Sequence, residues 1–77
     1  MVNMLPVKTF DATLQGVQRL KNSNSGNPQF RVFFNYGPPV VTEKDASVNH
    51  MVMNYIGQTV RVTLNESGHI IRIGTME

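Results

Sequence analysis

Asp45-Ala46-Ser47-Val48-Asn49-His50-Met51-Val52-Met53-Asn54-Tyr55-Ile56-Gly57 decides the fold, because here the period of the apolar residues changes. Val48, Met51, Val52 and Tyr55 recur at i, i+3, i+4 and i+7, one stripe of an amphipathic helix. Asp45 stands where an N-cap is wanted, at the positive end of the helix dipole. Gly57 stands where a left-handed residue closes the last turn. A helix of little more than two turns is not stable alone, so it is expected to lie on a sheet.

On both sides of this stretch the sequence alternates with the period of a strand. Downstream, Val60, Val62 and Leu64 are expected inward and Thr59, Arg61 and Thr63 outward. Asn65-Glu66-Ser67-Gly68 reads as a four-residue hairpin loop with glycine where φ > 0 is wanted. Ile71 and Ile73 then continue the inner face, Ile70 and Arg72 the outer one. Upstream, Val40-Val41-Thr42-Glu43 is a short strand, and the prolines before it suit a strand start or an edge. Gln29 to Tyr36 alternates most clearly, with Phe30, Val32, Phe34 and Tyr36 on one side and Gln29, Arg31, Phe33 and Asn35 on the other. The loop Lys21 to Pro28 is built of Asn, Ser, Gly and Pro. Before it, Phe10, Ala12 and Leu14 alternate until the phase slips around Gly16, ahead of Val17 and Leu20. A glycine at a phase slip predicts a bulge and a sharp bend. Residues 1–8 have no period and form a loose lead-in.

The order is strand, strand, strand, helix, strand, strand, within a single domain over residues 1–77. The connections are too short for parallel crossovers, so antiparallel pairing is expected. This order resembles the OB-fold, a five-stranded, partly open Greek-key barrel. The expected fold class is therefore mainly β, a five-stranded antiparallel OB-like small barrel with one short helix between strands 3 and 4. Arg19-Leu20-Lys21 through Ser25-Gly26-Asn27-Pro28-Gln29-Phe30-Arg31-Val32 also resembles the first hairpin of small single-strand-binding proteins, and further resembles small phage-encoded proteins. An SH3-like barrel is the rival architecture, and would have a 3₁₀ turn in place of the helix.

Composition narrows the function. The 77 residues are 40% hydrophobic and only 16% charged, with net charge +2 and no cysteine. Disulfides, iron–sulfur clusters, thiolate zinc sites and thiol catalysis are excluded. No apolar run is long enough for a membrane span, and no secretory signal is expected, so the expected location is cytoplasmic, the host's if the gene is a phage's. The two histidines, His50 and His69, have no ligand spacing, and no phosphate loop, carboxylate pair or nucleophile elbow occurs. No enzyme activity, metal or cofactor is expected.

The candidate surface is the outer sheet face. Arg31 and Phe33 share it on the second strand, where an aromatic beside a guanidinium stacks a base and holds its phosphate. Arg19 and Lys21 border the polar loop, forming a mobile basic flap. A symmetric hairpin about residues 65–68 sets Arg61 opposite Arg72, a repulsion of about 1 kcal/mol or less that a bridging phosphate would relieve. The alternative is that the two splay into water or reach Glu43 or Glu66. The expected nucleic-acid-binding residues are Arg19, Lys21, Arg31, Phe33, Arg61 and Arg72, with a single-stranded nucleic acid as partner. The alternative partner is a protein or a second copy of the chain, met through a strand edge or through Phe33, Ile70 and Met53.

Overall fold

The alternating run Lys8–Arg19 forms β1, the longest strand of the computed structural model, which describes residues 8–76. β2 is Phe30–Phe34, β3 Val40–Val41, β4 Thr59–Leu64 and β5 Ile70–Thr75. They make one sheet in the order β3-β2-β1-β4-β5, with antiparallel neighbours throughout. Four strands ordered 4-1-2-3 are a Greek key. Of the expected lead-in, residues 1–7 lie outside the described residues, and Lys8 already belongs to β1.

β1 serves two partners. Its first half, Lys8 to Thr13, pairs with β4; its second half, Leu14 to Arg19, pairs with β2. The register shifts between Leu14 and Gly16, so Gln15 is the extra residue of a bulge beside the predicted glycine. That shift returns Val17 to the inner side, three residues after Leu14, and bends the strand between its two partners. The core is the inner faces of both halves: Ala12, Leu14, Phe30, Val32, Phe34, Val60, Val62, Ile70 and Ile73. Phe10 meets Phe34 edge to face, with ring centroids 5.2 Å apart.

The decisive stretch is not an α-helix, so the feature expected to separate the OB-like order from the SH3-like rival falls on the rival's side, and only the strand order and pairing speak for the former. The stretch forms two 3₁₀ turns, Ser47–His50 and Val52–Tyr55, broken at Met51 where φ is −134°. Asp45 cannot cap them, because its φ of 64° is left-handed and the cap position falls on Ala46. Val, Asn, His and Tyr are middling helix formers, and Asn49 draws its side chain into the backbone. Its Nδ2 donates to the carbonyls of Glu43 (2.9 Å) and Ala46 (3.2 Å), competing with a regular helix. The i, i+4 pair Val48 and Val52 still plugs the core, whereas Met51, expected on the same stripe, is 40% exposed.

Two further expectations are corrected. Ile70 is fully buried and Ile71 only half-buried, because a register shift between Thr63 and Leu64 leaves Ile71 as the extra residue of β5. Arg61 therefore faces Gly74, and Arg72 faces Thr63; the two arginines are not opposite each other. The turn explains the shift. Asn65 donates its N–H to His69 O, and its Oδ1 accepts from the N–H groups of Ser67 and His69. Tyr36, expected inward, is exposed and donates its hydroxyl to Asp11 O at 2.6 Å.

The sheet is open rather than a closed barrel. Its edge strands approach at one point, a parallel bridge between Thr42 and Ile70, with Glu43 N–H donating to Ile70 O at 2.8 Å.

Candidate nucleic-acid interface

Because β2 sends Phe30, Val32 and Phe34 into the core, its pleat sends Arg31 and Phe33 to the outer face. Gly16 of β1 stands opposite Phe33, and Gln18 opposite Arg31. Val41 of β3 flanks Arg31 on the other side. Phe33 is 37% exposed. Arg31 Nη1 donates to Gln18 Oε1 at 2.9 Å, a neutral acceptor, and no carboxylate among the described residues pairs with Arg31. The carboxylates among the described residues that bond basic side chains do so elsewhere, Asp11 with Arg61 and Glu43 with the His69 ring.

Arg61 is differently placed. Its Nε and Nη2 donate to the two carboxylate oxygens of Asp11 at 2.9 and 3.2 Å. The fork of hydrogen bonds holds the Asp11 carboxyl below its ordinary range and raises the guanidinium further. Asp11 and Gln18, which mark the Arg61 and Arg31 positions along β1, are separated by roughly 23 Å of strand before its bend is counted. Arg61 and exposed Arg72 thus occupy the β4–β5 half of the outer face, and Arg31 with Phe33 the β1–β2 half.

Arg19 pairs with Phe30 in the ladder, so it leaves β1 on the inner side. Its guanidinium lies 5.9 Å from the Phe30 ring centroid and donates to Asn22 Oδ1. Lys21 is exposed. The loop that carries it is braced rather than a free flap. Asp45 Oδ1 accepts from Ser23 Oγ (2.5 Å) and from Asn27 Nδ2 (2.9 Å). Those bonds hold the Asp45 carboxyl below its ordinary range. Sequence reading missed this brace by assigning Asp45 to a cap; the usable signal is that Asp tolerates the left-handed region better than most residues.

Sequence reading also missed an apolar recess of about 190 Å³ lined by Phe10, Phe34, Tyr36, Gly37, Pro38 and Val40. Its signal was the Tyr-Gly-Pro-Pro break, which turns Tyr36 out of the core. No group of three His, Cys, Asp or Glu side chains among the described residues could hold a metal ion. No helix among them is long and apolar enough to cross a membrane.

Glu43 ties the β4–β5 turn to the end of β3. Its Oε1 accepts from Asn65 Nδ2 at 3.0 Å and lies 2.9 Å from His69 Nδ1. Those two hydrogen bonds, His69 first, depress its carboxyl below the ordinary 4.5. A depressed carboxyl binds its proton less tightly folded than unfolded, so its stabilisation is complete above the ordinary value and fades as pH falls through the folded one. Asp11 and Asp45 act in the same direction. The thermal midpoint is therefore expected to hold down to about pH 5 and to fall below it, less steeply in Glu43→Gln. Thermal melts across pH check this; identical slopes for the variant and the native chain would remove Glu43 as a source.

Comparisons of the chain with protein-family models, with curated proteins and with solved structures find no match.

Proposed function

We propose that this chain is a non-catalytic OB-like domain that binds single-stranded nucleic acid on its outer sheet face. The architectural support is the Greek-key order, the bent β1 shared between two partners, and the parallel approach of β3 to β5 at Thr42 and Ile70. The observation that carries the reading is the pair Arg31 and Phe33: an exposed ring beside a cation with no acidic partner among the described residues. Phe33 offers a face for a base, which is sequence-tolerant because every base has a π-face. Arg31 offers a phosphate contact, with Lys21 at the braced loop and Arg72 on the far half; Arg19, turned to the inner side against Phe30, lies off this face. Arg61 contributes least, because Asp11 already neutralises it.

Titration of a labelled single-stranded oligonucleotide against salt tests this. Contacts from Arg31 and Lys21 give an expected slope of log affinity against log salt near about −1.4, steepening to about −2 where the strand reaches Arg72, by the single-strand rule of about −0.7 per phosphate. Absence of binding at low salt removes the reading. A slope near zero removes the cationic assignment.

One observation favours a second reading, docking to another protein. Met51, Met53 and Ile56 are exposed together on the 3₁₀ segment, Met53 at 59%. Ile70, expected to share such a surface, is buried and takes no part. Sedimentation across concentration tests self-association through this segment; a strictly monomeric chain removes that form of it.

A further inference from the structure

Gly16 borders the β1 bulge and stands on the outer face opposite Phe33. Its φ lies outside the left-handed region, and a Cβ added there would meet no atom within 4 Å. Glycine weakens a strand, and in a strand interior it often marks a place where another group comes close. Phe33 stands directly across the ladder, exposed, and its ring leaves the space above Gly16 open. The next pair on the same face is Gln18 and Arg31, about 7 Å along the strands. Arginine has no acceptor, so Gln18 must receive the Arg31 Nη1 bond on its carbonyl oxygen. Apart from a second lone pair on Gln18 Oε1, what that pair leaves free is donors, the Gln18 NH2 and the other guanidinium N–H groups.

The geometry points to a seat for one nucleobase of a single strand, stacked on Phe33 above Gly16, with an acceptor-bearing edge turned to Gln18 and Arg31. Guanine fits through its adjacent acceptors O6 and N7, and an unpaired cytosine offers a like pair in N3 and O2, whereas adenine sets its amino donor beside N7 and beside N1. The charge also agrees, since Arg31 has no carboxylate partner among the described residues. This inference rests on the single-strand reading and adds which base edge is preferred and what makes room for it.

The test uses short oligothymidines carrying one central guanine, adenine or cytosine, titrated by fluorescence anisotropy at low salt. The native chain is expected to bind the guanine strand about fivefold more tightly than the adenine strand. Gly16→Val fills the floor, so it should abolish that preference and weaken guanine binding about tenfold. Its thermal midpoint should hold or rise, since a β-branched residue suits a strand. If Gly16→Val does not fold, Gly16→Ala carries the same test, with a partial loss expected. Equal affinity of the native chain for all strands overturns the seat, as does a folded Gly16 variant that keeps the full guanine preference. A native chain that binds none of them overturns the single-strand reading itself, an outcome visible before any variant is made.

Discussion

Thr42→Val is expected to lower stability by about 3 kcal/mol and the thermal midpoint by about 15 °C. Thr42 is fully buried at the end of β3, and its hydroxyl works in two directions. Oγ1 accepts the Phe30 N–H at 3.0 Å. Its single proton has two acceptors in reach, Phe30 O and Asn49 Oδ1. Asn49 has the greater need, because its Nδ2 is already committed to two carbonyls and Phe30 O also receives the Thr42 N–H. Valine keeps the shape but leaves a buried donor and a buried acceptor without partners, each costing about 1–3 kcal/mol. Thr42→Ser keeps the hydroxyl and loses only a methyl group, a cost of about 1 kcal/mol. Urea unfolding of both variants checks the contrast. A valine variant no worse than the serine variant would show that the hydroxyl network contributes little. The same substitution should speed hydrogen exchange at the Glu43 amide, which bonds Ile70 across the approach of the sheet edges.

The strands were legible because alternation records burial. Phe30, Val32 and Phe34, and likewise Val60 and Val62, fall inside as their spacing requires. The β1 bulge was legible too, since an apolar set that changes phase in mid-strand must gain a residue on one side. The helix was not, because the pair Val48 and Val52 satisfies a plug made of two 3₁₀ turns as well as one made of an α-helix. What separates the two is Asn49, whose side chain bonds back to the carbonyls before it; no periodicity shows that. The β4–β5 register failed for a related reason. Asn65 sets the turn by its own side chain, and the adjacent Ile70 and Ile71 allow either one to face inward. A shift of one residue then separated Arg61 from Arg72. Within the candidate site, Arg31 and Phe33 followed from the pleat alone. The pairing of Arg61 with Asp11 depended on which strand neighbours β4, which lies beyond the reach of local pattern.

Phe33→Ala is expected to weaken single-strand binding about tenfold, the loss of one base stacked on an aromatic ring. The ring is 37% exposed, so its removal also uncovers apolar surface at a cost of about 1–2 kcal/mol, and a thermal melt of the variant separates that loss from the loss of affinity. The arginines should then separate by their partners rather than by their number. Arg31→Ala removes a charge that, among the described residues, has an amide rather than a carboxylate beside it, and should lower affinity several-fold while making the salt slope shallower by about 0.7. Arg61→Ala removes a cation whose field Asp11 has already cancelled, and should change affinity by less than about twofold. Asp11→Asn reverses that logic. It restores a free positive charge on the β4 half, at little cost in stability because the pair is exposed on both sides. If a bound strand extends onto that half, Asp11→Asn tightens binding about threefold and steepens the slope; if it stays on β1 and β2, affinity is unchanged. Equal losses from Arg31→Ala and Arg61→Ala would contradict the assignment, because a cation paired to Asp11 would then be serving as well as an unpaired one.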